Sequence, residues 1–353
     1  MSTTTRVTQR MIADMAGVSQ STVSLVLNGK ADEVRRIPAA TRDRVLEVIR
    51  ETTYVANPVA RSLVGAATGL IGVFTYEPAF PNRSSDFYTP LLTGVESAAE
   101  GVGADLLMFT STPVVDGRRR LFHESNRLRL ADGCILLGRE MDPDELARLL
   151  ESAYPFVAIG RREAADGRVP YVGVDYATAT HALAVRALEL GHRRLGLLRL
   201  PQTAESSRDR RAGIVTAAAA GGAEVVEAEV TSERSVTDAW ATIRASRPSV
   251  VFVEDPTDAR ELHASLAAEG VQVPGDLSVV VLGEHNRAAD GPADFTRLRA
   301  PRTELGARAV RALADVLEAR RASATEGTAA APPVQDLLDC SLVPGGTLAA
   351  PAA

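Results

Sequence analysis

The sequence predicts two structural classes in one chain: a small α-helical helix-turn-helix head and, behind it, an α/β body of doubly wound parallel sheets. Three observations predict this. A run at 12–28 sets two short apolar-periodic segments around a glycine bend. From about residue 70 to about 320, apolar strand runs alternate with amphipathic helical stretches. Charge is also divided, with a net of +3 over residues 1–66 and −9 over the remainder, within a total of −6. A modestly basic head on an acidic body suits a chain that meets phosphates with one end only.

The head is read from I-A-D-M-A-G-V-S-Q-S-T-V-S-L-V-L-N. Segments 12–15 and 22–27 flank a bend at Gly17, a permissive residue followed by Ser19 as helix N-cap. Ala13, Ala16, Val18, Val23, Val26 and Leu27 supply small apolar contacts between the helices. Ser19, Gln20, Ser21, Ser24 and Asn28 leave the second helix a short polar face of the kind that fits a major groove. An ordinary helical hairpin with a solvated polar face shares this pattern, so the flanking sequence has to decide. Pro38 suits a first helical turn, and 42–50 forms a third helix with Val45, Leu46, Val48 and Ile49 inward, closing a three-helix domain. In Y-V-A-N-P-V-A-R-S-L-V-G at 54–65, Pro58 can start a helix and Gly65 can stop one. Six residues between them are too few to hold a helix alone, so it forms only when something packs against it.

In the body, strands are expected at 70–75, 105–109, 134–137, 156–159, 171–174, 195–198, 250–253 and 279–282. Helices are expected at 91–100, 144–151, 178–190, 211–220, 236–245 and 258–269. Strands without polar alternation, separated by helices, mean parallel sheets covered on both faces. The length admits one large sheet or two smaller lobes, and periodicity does not choose between them. A-S-A-T-E-G-T-A-A-A-P-P at 322–333 reads as a flexible connection, and 345–353 as a disordered tail. There is no internal repeat.

Several functions are disfavoured. Cys134 and Cys340 give neither a disulfide framework nor a metal spacing. The five histidines, His123, His181, His192, His263 and His285, lie in no zinc or hydrolase motif, and no nucleophile elbow, P-loop or strand-borne dinucleotide fingerprint occurs. No catalytic residues, metal or cofactor are therefore expected, and the chain is read as no enzyme. The start lacks an apolar export segment and no run reaches the length of a membrane span, so a soluble cytoplasmic protein is expected.

The motif V-T-x-x-x-I-A-x-x-A-G-V-S-x-S-T-V-S-x-V-L-N-G from Val7, together with Tyr54-x-x-Asn57-x-x-Ala60-Arg61-Ser62-Leu63, resembles the lactose-repressor (LacI/GalR) family of bacterial transcription regulators. The resemblance extends from Val7 to about Val343. It implies a DNA-binding domain at 1–56, a hinge helix at 57–66 and an effector-binding and dimerisation body at 67–344. The body would be a two-lobed, periplasmic-binding-protein-like fold, with an N-lobe at about 67–190 and 298–322 and a C-lobe at about 191–297 and 334–344. Gln20, Ser21 and Thr22 would lie nearest the bases, with Ser19 and Ser24 toward phosphates. Leu25 stands where some relatives place a guanine-reading Arg and offers only apolar contact. Thr8, Arg10, Asn28, Arg36, Thr41 and Tyr54 would touch the DNA backbone. By the same resemblance the hinge orders only when two copies pack over a bent minor groove, with Leu63 wedged between base pairs, Ala60 fitting close to them and Asn57 opening the segment.

Ligands of open α/β folds sit beyond the carboxyl ends of the strands, which puts a small molecule between the two lobes. Carried over from the family pattern, Asp175, Arg208 and Asp255 are the expected polar grip, with Phe87 or Tyr88 stacking on an apolar ligand face. A plainer reading makes Asp175 and Asp255 helix caps and Arg208 a solvated charge. The chain also departs from the pattern. Glu254-Asp255 replaces the usual Asn-Asp, and Val281-Leu282-Gly283-Glu284 removes a cleft carboxylate at Gly283, a loss that Glu284 or His285 would have to replace. The expectation is a transcriptional regulator of repressor type, binding double-stranded, near-palindromic operator DNA as a homodimer under control of a sugar or related metabolite. The alternative is a solute-binding protein of the same body fold without a regulatory role.

Overall fold

The computed structural model describes residues 7–28, 34–52, 54, 67–77, 85–115, 117–283, 294–326 and 332–352. The chain divides into two compact units, Met1–Gly69 and Leu70–Ala353.

In the first unit, α1 (Gln9–Ala16) is opened by Thr8, whose hydroxyl accepts from the Met11 amide. It is stopped at Gly17, whose φ of 64° is the left-handed conformation that glycine adopts without steric cost. The second helix, α2, follows at Gln20–Asn28, and α3 spans Ala39–Glu51 with Pro38 at its N-cap. Ile12, Ala13, Ala16, Val23, Val45 and Val48 form the core, with Val7, Val18, Val26, Leu27, Ile49 and Tyr54 packed at its margin. Leu46 was expected inward. It lies instead on the exposed face, because Val45 and Val48, three residues apart, already define the buried stripe.

The second unit holds two six-stranded sheets. The first is built from β1 (Leu70–Thr75), β2 (Asp105–Phe109), β5 (Gly133–Leu137), β6 (Phe156–Ile159), β7 (Tyr171–Val174) and β13 (Gln335–Leu338), in the order β13-β7-β6-β5-β1-β2 and parallel throughout. The second is built from β8 (Arg194–Arg199), β9 (Glu224–Glu229), β10 (Val250–Val253), β11 (Ser278–Val281), β12 (Thr296–Arg299) and β14 (Ser341–Val343), in the order β14-β12-β11-β10-β8-β9, with only β14 antiparallel. Each sheet is buried on both faces by its own pair of apolar clusters, as uninterrupted Val, Ile and Leu runs require. A two-residue hairpin, β3 (Val114–Val115) with β4 (Arg118–Arg119), projects between β2 and β5.

All eight expected strands are present within a residue at either end. Besides the β3–β4 hairpin, four are additional. In β9, E-V-V-E-A-E reads as a solvated acidic run, yet Glu227 and Glu229 are neutralised by Arg199 across the strand pair. The others, β12, β13 and β14, are three or four residues long and partly polar, too short for a periodic signal.

The helices set the lobes. In the first lobe lie α4 (Ser85–Gly101) and α5 (Pro143–Glu151), joined by α10 (Arg302–Glu326), which packs tightly on α4. In the second lie α6 (Tyr176–Glu189), α7 (Glu205–Ala220), α8 (Val236–Ile243) and α9 (Pro256–Ala268). The expected lobe boundaries need correction at three places. Helix α6 was assigned to the N-lobe, but Leu183, Ala184 and Ala187 bury themselves in the second lobe against α7. Strand β13 joins the first sheet and not the second, while β12, whose end was given to the N-lobe, stays in the second. The chain therefore crosses directly after β7, β12 and β13. Membership is decided by which sheet edge accepts the strand, and short half-polar strands do not encode that. The expected connection at 322–333 is helical through Glu326.

The tail expected to be disordered is docked. Thr347 is 4% exposed; its hydroxyl donates to the Val279 carbonyl at 2.6 Å and accepts from the Thr296 amide at 3.0 Å. The Ala349 carbonyl accepts from buried His192 at 2.8 Å. Small residues that look featureless in sequence fit here because nothing bulky obstructs their backbone from pairing.

Candidate functional site

The head presents a polar helix edge over its apolar core. Ser19 caps α2, its hydroxyl accepting from the Thr22 amide at 3.1 Å and lying 2.7 Å and 2.8 Å from the hydroxyls of Ser21 and Thr22. That ring orders the first turn and leaves Gln20 and Ser21 exposed. Thr22, Ser24 and Leu25 are half-buried along the same helix, while Arg10 and Arg36 are exposed and Thr41 is half-buried. Arg44 ties α3 to the bend, its Nε donating to the Ala16 carbonyl at 2.8 Å. Tyr54 is half-buried and packs against the core margin. Thr8 serves as a cap. Asn28 ends α2, but its side chain lies outside the described residues, as do Asn57, Ala60 and Leu63.

In the body a cavity of about 460 Å³ opens between the carboxyl ends of the two sheets. Its first-lobe wall carries Phe87, Tyr88, Leu91, Leu137 and Ile159, and its second-lobe wall Leu200, Asp209, Arg210, Glu254, Asp255 and Gly283. Phe87, 44% exposed, stands edge-on to Tyr88 with ring centroids 5.2 Å apart. Tyr88 is buried and its hydroxyl donates to Glu77; burial and that carboxylate push its phenol well above the usual range. Phe87 is thus the exposed aromatic of the pair.

The polar grip differs in detail from the expectation. Arg210 lines the cavity, and Arg208 is not among the lining residues. Arg208 donates to the carbonyls of Gln202 and Thr203 and pairs with Glu163 at 2.7 Å. The guanidinium of Arg210 lies over the Tyr176 ring, 3.5 Å from its centroid, with Nε donating to the Leu282 carbonyl at 3.2 Å. Both arginines belong to one basic run on α7, and two residues of helix turn separate their directions by most of half a circle. Sequence reasoning named the run but not the residue that faces inward.

Asp255 lines the cavity and also caps α9, one oxygen accepting from Thr257 at 2.7 Å and Asp258 at 3.3 Å. Asp175 caps α6 through the Thr178 amide at 2.9 Å and is not among the lining residues. Glu254, where the resemblance expects Asn, is 6% exposed and fully engaged. It accepts from Ser207 at 2.5 Å and from the Leu200 amide at 2.9 Å, and it lies 3.7 Å from Arg210. It is a support for Arg210 and not a spare ligand group. Glu284 and His285 lie outside the described residues. Asp258, beside the cavity, is pushed up to about 6 by burial and by neighbouring Asp255 and Glu261. Among the described residues no cluster of three or more metal-ligating side chains occurs.

Residues 10–57 match the family model described as bacterial regulatory proteins, lacI family, and residues 185–348 match the periplasmic binding protein-like domain. The transcriptional regulator CelR of Thermobifida fusca is 31% identical over 322 residues, covering 88% of this chain and 92% of that protein. Catabolite control protein A of Priestia megaterium is 25% identical, covering 86% and 90%. Among solved structures, a CelR–cellobiose complex is similar at 27% identity, with a TM-score of 0.63 over 97% of this chain and 100% of that one. The lac repressor dimer bound to operator and the anti-inducer ONPF shares the fold at 21% identity, with a TM-score of 0.70 over 98% and 100%.

Proposed function

As a member of the lacI family of bacterial regulatory proteins the chain is a DNA-binding transcriptional regulator and not an enzyme, and we propose that it acts as a homodimeric repressor whose hold on operator DNA is governed by a sugar in the cleft of its body. A regulator, and not a free solute-binding protein, is what a three-helix head joined to such a body makes.

The cavity carries the effector reading. One guanidinium held in place by Tyr176, Leu282 and Glu254 stands with Asp255, whose second oxygen is not engaged in capping, and with the exposed ring of Phe87. A donor, an acceptor and an aromatic face together suit vicinal hydroxyls on a pyranose ring, and the volume accommodates a small saccharide. The cellobiose carried by a similar regulator supports a saccharide over a nucleoside or amino acid.

On the DNA side Gln20, Ser21 and Thr22 read bases, Leu25 offers apolar contact, and Ser19, Ser24, Arg10, Arg36 and Thr41 meet phosphates. The segment 57–66 works as a hinge, with Leu63 wedged into the minor groove and Asn57 and Ala60 beside it. Dimerisation is required because one head reads only half of a near-palindromic site. A cytoplasmic location follows from work on genomic DNA.

The test uses the purified full chain. Fluorescence anisotropy against fragments from the chain's own genomic neighbourhood is expected to yield one specific duplex, and cellobiose or a related saccharide is expected to raise the melting temperature and change that affinity. A protein that binds every duplex alike at physiological salt removes the regulator; specific binding untouched by any saccharide removes the effector.

A further inference from the structure

The loop that follows β6 carries Arg161, Arg162 and Glu163, and these three meet Glu205, Arg208 and Asp209 on the first turns of α7. Positions 205, 208 and 209 stand at i, i+3 and i+4, so they share one helix face. The loop carries two positive groups and one negative, the helix face two negative and one positive, and every group finds its opposite. Arg161 grips Asp209 with two nitrogens, at 2.8 Å and 2.6 Å. Arg162 donates to Glu205 at 3.0 Å, and Arg208 to Glu163 at 2.7 Å. Nearby, the Thr203 hydroxyl donates to Glu140.

Strand β6 belongs to the first sheet and α7 covers the second, so all four contacts run from one lobe to the other. Two of the ion pairs, Arg161–Asp209 and Arg162–Glu205, are shielded from solvent, whereas Glu163 and Arg208 are 55% and 37% exposed. The side chain of Arg162 is 4% exposed, those of Glu205 and Asp209 15%, and that of Arg161 23%. Arg162 is further anchored by donating to the carbonyls of Gly138 and Ile159, so its guanidinium is pre-positioned for the other lobe.

We propose that Arg161–Asp209, Arg162–Glu205 and Glu163–Arg208 form an ionic latch that holds the two lobes together without a ligand. The body then rests in a closed arrangement, and a small molecule shifts a balance the latch has already set. Bidentate geometry and partial desolvation make such pairs more than the sum of exposed ones, and removal of one partner strands a charge in the interface. Arg161, Arg162 and Asp209 also line the cavity, but the latch concerns the ligand-free chain, so its test is read without any saccharide and fails or holds independently of that reading.

Hydrogen–deuterium exchange on the ligand-free full chain tests it. Arg161→Ala and Asp209→Ala are expected to speed exchange in the cleft-facing segments 138–141 and 200–204 by about tenfold, with the core strands at 134–136 and 250–253 unchanged. The exchanged pair Arg161→Asp with Asp209→Arg is expected to restore most of the protection, and 0.5 M sodium chloride to weaken it in the parent protein. Single variants that exchange at the parent rate in the cleft overturn the latch. If a variant loosens the core as well, the milder Asp209→Asn, which keeps the shape of a shielded partner but removes its charge, decides: faster cleft exchange alone supports the latch, and a parent rate overturns it.

Discussion

Arg210 is braced before any ligand arrives: a ring beneath it, carbonyls of Leu282 and Ser206 accepting from it, and the Glu254 carboxylate behind it. Such preorganisation is what lets a flexible side chain bind without a large entropic loss. Asp255 offers a cleaner probe, because Asn retains the oxygen that caps α9 while losing the charge. We expect Asp255→Asn to lower affinity for the stabilising saccharide about tenfold while leaving the melting temperature within about 2 °C, as read by calorimetry and thermal denaturation. Unchanged affinity would take Asp255 out of the site. The basic run on α7 shows the limit of reading at this scale. Chemistry, an arginine at the cleft, is legible from composition and place; which of two arginines turns inward is a matter of helix phase against a neighbour.

Two elements each expose a prediction, the hinge proposed at 57–66 and one helix pair of the body. For the hinge at 57–66 we expect Leu63→Ser to weaken specific operator binding at least tenfold with the body's melting temperature unchanged, measured by anisotropy at fixed salt; equal affinity would exclude a wedge at that position. The second is the contact of α4 with α10. A Cβ on Gly94 would stand inside the van der Waals envelope of the Thr303 carbonyl, and one on Gly306 inside that of Leu91. These glycines let two helices approach backbone to backbone. Gly94→Ala is therefore expected to destabilise by about 2 kcal/mol or more despite its better helix propensity, visible as a drop of several degrees in melting temperature. A stabilised variant would mean that the helices can slide apart without loss.

At the scale of the molecule, the carboxyl-terminal tail closes the second lobe and is itself clamped by a histidine. His192 is buried with one ring nitrogen 2.8 Å from the Ser249 hydroxyl and the other 2.8 Å from the Ala349 carbonyl. Burial lowers its pKa below the ordinary imidazole value, with the Ala349 carbonyl opposing that shift in part. The unfolded chain therefore takes up this proton first as pH falls, so the contribution of His192 is complete above about pH 6.5 and declines below it. Asp258, whose raised pKa adds stability as pH falls through about 6, works in the opposite sense, so we expect the melting temperature of the parent to fall relative to that of His192→Gln between pH 7 and pH 5.5. Parent and variant profiles that run parallel across this window would show that the tail clamp does not titrate.

By itself the sequence determined the class of most major elements, although the long helix α10 and the acidic strand β9 were not among those expected. Core alternation, apolar strand runs and the bend at Gly17 are local patterns, and they hold because burying those side chains outweighs other local preferences. The motif from Val7 to Gly29 and the departures at Glu254 and Gly283 were likewise open to reading. Only the tertiary structure decided which lobe received α6, β12 and β13, that 345–352 docks, that Glu254 braces Arg210, and that loop 161–163 meets α7 across the cleft. Those outcomes depend on contacts between residues some fifty to one hundred and sixty positions apart, as from His192 to Ala349. No periodicity within a single segment records which distant surface it will meet.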